Sequence, residues 1–200
     1  MEREVLLTGI GGQGVQLAAR TLAFAAVADG REVMVFGTYG GSMRGGNTDA
    51  TVIVGDEPLL TPPTVDETWS ALAMHHAYWP DVRKLLRAGS VVLIDSSVFR
   101  GELGLDVACE VVEVPASTIA TDLGSPQAGS MVALGAYAAA TGLVTLDALV
   151  AATAEVLPPY RAQHATANAV AIRAGWDLVP GPVAEAWPTA RIASVGSVQS

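Results

Sequence analysis

The stretch Gly9-Ile10-Gly11-Gly12-Gln13-Gly14 constrains the fold most, because it joins two segments of different character. Ahead of it, Glu4-Val5-Leu6-Leu7-Thr8 is a short apolar run of the kind that forms a buried strand. Behind it, Val15 to Ala28 is an alanine-rich run with helical character that closes at Asp29-Gly30. Where a strand turns into a helix, glycine allows φ > 0 and lets backbone approach a ligand closely. Free N–H groups and the helix dipole favour an anion at the same place. Two readings stand side by side: a phosphate cradle for a nucleotide or coenzyme, and a tight turn that lets the helix pack on the strand. A dinucleotide-binding unit also needs an acid about 20 residues further on to hold the ribose. The next strand, Glu32-Val33-Met34-Val35-Phe36, runs into Gly37-Thr38-Tyr39-Gly40 with no acid at its tip, which argues against NAD.

The rest of the chain alternates. A glycine-dense loop from Thr38 to Asn47 carries one charge, Arg44, and leads to a strand at Asp49 to Val54. A strand is expected at Thr68 to Met74, ending in His75-His76, then a helix from Pro80 to Leu86. Ser90-Val91-Val92-Leu93-Ile94 reads as a strand buried on both faces and ends in Asp95-Ser96-Ser97. A further strand at Cys109 to Val114 precedes a short helix reaching Gly124. Helices are expected over Ala128–Thr141, Thr145–Val156 and Tyr160–Ala174, with Thr145 as the cap of the second. The pattern predicts a Rossmann-like α/β fold: an open, mainly parallel sheet with helices on both faces and a helical C-terminal third. Residues 1–175 form one domain in this reading, and 176–200 an irregular tail or an arm laid on a partner. Ligands of such sheets bind outside the carboxyl ends of the strands, so the loops at Gly9 to Gly14, Thr38 to Asn47, His75-His76 and Asp95 to Ser97 should share one edge.

Composition narrows the function classes. A net charge of −9 argues against a nucleic-acid surface. The single Cys109, expected as an inert buried thiol, excludes a four-cysteine zinc or iron–sulfur site supplied by this chain alone. The charged start Met1-Glu2-Arg3-Glu4 is unlike a signal peptide, and no apolar run reaches the ~20 residues of a membrane span. A soluble, cytoplasmic protein without membrane contact is the expectation, and 50% hydrophobic composition hints at surface buried against partners.

Three features together carry a resemblance. Gly9-x-Gly11-Gly12-Gln13-Gly14 follows the first strand, Tyr39-Gly40-x-x-Met43-Arg44-Gly45-Gly46 the second, and Asp95-Ser96-Ser97 the apolar strand. With the turn Asp56-Glu57-Pro58 and the segment Ser130-Met131-Val132-Ala133-Leu134-Gly135, they resemble the gamma subunit of the 2-oxoacid:ferredoxin oxidoreductases over about residues 4 to 175. The 2-oxoglutarate type is most similar, with the pyruvate and 2-oxoisovalerate types close behind. The resemblance implies a subunit of an enzyme that oxidatively decarboxylates a 2-oxoacid to an acyl-CoA. It further implies that this chain helps hold coenzyme A. Thiamine diphosphate, magnesium and the iron–sulfur clusters would lie in alpha, beta and delta partners that reduce ferredoxin. The isolated chain would be inactive and is compatible with a homodimer. The rival readings are a stand-alone nucleotide-binding oxidoreductase and a scaffold subunit whose glycine loops hold no ligand.

Thirteen residues follow as candidate cofactor contacts: Gly9, Gly11, Gly12, Gln13, Gly14, Tyr39, Arg44, Gly45, Gly46, Asn47, Asp95, Ser96 and Ser97. Gln13 suits either a ligand or a local backbone bond. The planar fork of Arg44 suits a phosphate or carboxylate, of coenzyme A or of a partner. Asp95 can orient a ligand hydroxyl or cap the next turn, and Tyr39 can stack on an adenine or simply pack. His75 and His76, adjacent on an extended segment, should point to opposite faces and so chelate poorly. No catalytic residue and no metal ligand is assigned, and no Gly-x-Ser-x-Gly elbow supports a hydrolase reading of Ser97 and His164.

Overall fold

A computed structural model of the chain describes residues 1–39, 46–60 and 65–187. One six-stranded sheet runs through it in the order β2-β3-β1-β4-β5-β6. The strands are β1 (Glu2–Ile10), β2 (Glu32–Tyr39), β3 (Asn47–Gly55), β4 (Thr68–Ala73), β5 (Leu86–Asp95) and β6 (Cys109–Val114). The pairs β1–β4, β4–β5 and β5–β6 are parallel, as expected of the apolar runs. The third strand departs: β3 lies between β1 and β2, antiparallel to both. The cause is local, since a parallel return needs a crossover of a dozen or more residues, and too few separate Tyr39 from Asn47.

Among the described residues six α-helices flank the sheet: α1 (Val15–Ala28), α2 (Trp79–Val82), α3 (Ala116–Asp122), α4 (Gly129–Thr141), α5 (Leu146–Glu155) and α6 (Ala165–Trp176). The two sheet faces are covered unequally. Val5, Leu7, Val52, Leu72, Val91 and Leu93 meet the main core under α1, α4 and their neighbours. The alternate residues Leu6, Ala71, Ala73, Val92 and Ile94 meet a smaller cluster with Trp79, Val82 and Phe99. The helix expected from Pro80 to Leu86 is only a single α turn between two 3-10 turns. Trp79 pins it, donating its indole N–H to Leu103 O at 2.7 Å. The strand placed at Ser90 begins earlier, at Leu86, because Leu86 already pairs with Thr68 of β4.

Every residue of α4 is buried. Its sequence, Gly-Ser-Met-Val-Ala-Leu-Gly-Ala-Tyr-Ala-Ala-Ala-Thr, carries no charge that would need water, so it serves as the central helix of the layer. Tyr137 places its one polar atom 2.7 Å from Ser70 Oγ, and burial raises the phenol well above its ordinary pKa, so it stays protonated. Thr145 caps α5 as expected, accepting from Ala148 N at 3.3 Å. It also donates its N–H and O–H to the Asp29 carboxylate at 2.6 and 2.8 Å, which ties the start of α5 to the end of α1.

Beyond α6 the chain up to Trp187 lies on the end of α4. Val183 N and Ala186 N donate to Ala140 O and Thr141 O at 2.8 and 2.7 Å. Trp187 donates to Leu143 O at 2.9 Å under the guanidinium of Arg31, which sits 3.9 Å above its ring. Among the described residues no helix is long and apolar enough to cross a membrane. Cys109 is half-buried rather than buried, and its partial desolvation still pushes the thiol up, towards the protonated, unreactive form.

Candidate functional site

The carboxyl ends of β1, β2, β4, β5 and β6 and the amino end of β3 fall on one sheet edge. Gly9 to Gly14, Gly46-Asn47, His75-His76 and Asp95 to Ser97 therefore meet there. The connection between the first two is direct: Gly11 N donates to Gly46 O at 2.9 Å, and Ile10 pairs with Asn47. Arg44 and Gly45 lie outside the described residues, as does the side chain of Tyr39.

The glycine turn is built for close approach. Gln13 N donates to Ile10 O at 3.1 Å, and Gly12 and Gly14 have φ of 104° and 80°. A side chain at Gly14 is also excluded by packing, since a Cβ there would stand 2.6 Å from Ser130 Oγ. Helix α1 then opens with no side-chain cap, so its first N–H groups are left to the turn's surroundings. Gln13 bonds within the scaffold. Its Oε1 accepts from Ile10 N and its Nε2 donates to Met74 O, both at 2.9 Å, so the amide staples the end of β1 to the end of β4.

Asp95 and Ser97 also turn out to serve the scaffold. Asp95 is fully buried, and its carboxylate accepts from Ser97 N at 3.0 Å, Ser117 N at 3.1 Å and Ser117 Oγ at 2.5 Å. Ser97 Oγ accepts from Thr118 N and Oγ1 at 3.1 and 3.0 Å. The pair holds the start of α3, and Asp95 caps the turn at Ser96-Ser97, as the capping reading expects. Ser96 donates its backbone N–H to Val114 O at 2.9 Å, which continues the β5–β6 ladder.

The histidines correct another expectation. Their rings stack at 4.3 Å rather than pointing apart, because the chain leaves the extended conformation after His75 and turns into 3-10 backbone at His76. His75 Nδ1 accepts from Ala77 N at 3.1 Å. Burial, and next the neighbouring His76, lower the pKa of His75 and favour its neutral form. No group of three or more His, Cys, Asp or Glu side chains among the described residues is placed to hold a metal ion.

Three buried side-chain polar atoms lack a hydrogen-bond partner among the described residues: Asn47 Oδ1, His76 Nδ1 and Ser130 Oγ. Asn47 begins β3 and His76 follows β4, both on this edge, and Ser130 stands in the first turn of α4 facing Gly14. Leaving such a group unsatisfied costs about 1–3 kcal/mol. Ser130 borders a cavity of about 110 Å³ whose walls include Gly12, Gln13, Met74, Ser117 and Gly129. Sequence reading did not single out Ser130 as a site residue. The available signal was a hydroxyl in the first turn of an uncharged helix.

The pyruvate ferredoxin/flavodoxin oxidoreductase family matches residues 4–178. The chain belongs to this family. It is 28% identical over 160 residues to the 2-oxoglutarate synthase subunit KorC of Methanocaldococcus jannaschii, covering 79% of this chain and 85% of that one. The crystal structure of the keto/oxoacid ferredoxin oxidoreductase gamma subunit of Geobacter sulfurreducens superimposes with a TM-score of 0.73 at 28% identity, over 88% of this chain and 95% of that one. The 2-oxoglutarate:ferredoxin oxidoreductase of Magnetococcus marinus, solved with 2-oxoglutarate, coenzyme A and succinyl-CoA, shares the fold with a TM-score of 0.79 at 20% identity. The match takes in 94% of this chain and 33% of the Magnetococcus chain, so a unit of this fold forms part of a longer chain there. The resemblance drawn from the glycine turns is thus borne out, and this family member is of the gamma-subunit type.

Proposed function

We propose that this gamma-type subunit helps hold coenzyme A at the glycine-turn edge of its sheet, within a complex that converts a 2-oxoacid to an acyl-CoA. The observation that carries this reading is the gathering, around a turn whose helix opens with no side-chain cap, of Asn47, His76 and Ser130 atoms that have no partner among the described residues. A coenzyme A molecule brings phosphates for N–H and O–H donors, and amides for atoms such as Asn47 Oδ1. The glycine turn Gly9 to Gly14 with Gly46 leaves room for close approach of the diphosphate, and Ser130 Oγ supplies an O–H donor beside Gly14. Arg44 adds the loop's one positive charge. Gln13, Asp95 and Ser97 fix the walls through their hydrogen bonds to Met74 and to the start of α3. Coenzyme A accepts the acyl group as thioester when bound; this chain's residues bind and orient it.

The redox chemistry belongs to alpha, beta and delta partners in this reading, since one cysteine cannot supply the four ligands of a cluster. Thiamine diphosphate, magnesium and the iron–sulfur clusters sit there, and ferredoxin accepts the electrons. Tagged chain drawn from native cells should therefore bring partner subunits, visible iron–sulfur absorption and dye reduction that requires both a 2-oxoacid and coenzyme A. The same chain purified alone should be colourless and inactive. A visible chromophore or 2-oxoacid oxidation in the lone chain would contradict this division of labour.

A further inference from the structure

A second cavity, of about 310 Å³, lies beside the first turns of α1 and α6, and no function has yet been attached to it. Its floor is apolar, from Leu17, Ala128, Leu157 and Ala167. Its polar lining is Ser125, Gln127, Arg161, His164 and Asn168, with no acid among the lining residues, in a chain of net charge −9. Asn168 is 7% exposed and lines the cavity from the first turn of α6.

Local structure explains how the basic pair comes together. The helix expected from Tyr160 begins instead as 3-10 backbone over Pro159–His164, directly after Pro158, and becomes α6 only at Ala165. Side chains at i and i+3 eclipse in a 3-10 helix, which puts Arg161 and His164 on one face. The cavity adjoins the glycine-turn site. Gln127 lines both, and Leu17 of this wall lies one turn of α1 beyond Gly14 of the other.

We infer that this cavity takes the 3′-phosphate of coenzyme A, with Arg161 and His164 facing the phosphate monoester and Asn168 and Gln127 its oxygens or the adjoining ribose. The inference rests on the coenzyme A reading of the glycine-turn edge and extends it to a second anchoring point. The diphosphate lies at the turn, and the monoester about one helical turn away, some 5 Å along α1.

The test compares coenzyme A with 3′-dephospho-coenzyme A in the assembled oxidoreductase, by steady-state KM. Arg161→Ala should raise the KM for coenzyme A roughly tenfold, the lower end of what a charge-assisted hydrogen bond contributes. Arg161→Glu should raise it further, while the KM for the dephospho compound stays at its wild-type value in both variants. Arg161 is exposed, so neither change endangers the fold. Equal losses with both nucleotides would overturn the proposal, because the arginine would not be reading the 3′-phosphate. So would unchanged KM values in the Arg161 variants while Ser130→Ala raises both, a result that keeps the glycine-turn reading and removes the second anchor. If Ser130→Ala is silent as well, the two readings fall together.

Discussion

Gly135→Ala and Gly175→Ala should each destabilise the chain by about 3 kcal/mol, the upper part of the range for overpacking a core. The two glycines are where α4 and α6 cross. A Cβ at Gly135 would overlap the backbone carbonyl of Ile172, and one at Gly175 that of Val132. Each helix thus seats a glycine against the other's main chain, and main chain cannot swing aside as a long side chain can. Because α4 is buried on every side, it has no solvent face towards which to shift. Thermal unfolding should show midpoints lower by roughly 6–12 °C, at about 2–4 °C per kcal/mol for a domain of this size. Gly181→Ala, where nothing lies within 4 Å of a built Cβ, is the control and should stay within about 0.5 kcal/mol of wild type. Equal midpoints for all three variants would mean that the helices do not cross this closely.

Arg44→Ala should produce the largest functional loss. Arg44 is the only charge between Thr38 and Asn47, and the loop is tied to the glycine turn through Gly46. A charge-assisted hydrogen bond contributes about 1.5–3 kcal/mol, or roughly 10–150-fold at about 1.4 kcal/mol per decade. A coenzyme A contact places that loss in the KM for coenzyme A of the assembled enzyme. A contact with a partner's carboxylate places it in subunit association, read by pull-down. Wild-type values in both assays would remove Arg44 from the site.

The elements were more legible in the sequence than the roles of single polar residues. Val15–Ala28 and Cys109–Val114 fall where the sequence predicts them, because helix and strand there follow from local pattern. The direction of β3 was not read, although the short reach from Tyr39 to Asn47 carried the information through its length. Gln13 and Asp95 show a different limit. Each has the chemistry of a ligand contact, and each is satisfied by partners distant in sequence, Met74 and Ser117. Only the tertiary structure brings those partners into range. Ser130 is the converse case: the sequence does not mark it as a site residue, and its hydroxyl has no partner among the described residues, because Gly14 meets it without a side chain. The stacking of His75 on His76 depended on where β4 stops, and element ends are the least determined part of any pattern.

The central claim is that coenzyme A sits against this chain at the glycine-turn edge, and amide hydrogen exchange on the assembled oxidoreductase tests it most directly. Saturating coenzyme A should slow exchange at the backbone amides of residues 11–17, at the opening of α1, and of residues 129–131, at the opening of α4. Other parts of the chain, such as α5, should be unaffected. Unchanged exchange at both helix openings, in an enzyme that still turns over with coenzyme A, would place the coenzyme elsewhere and contradict the account.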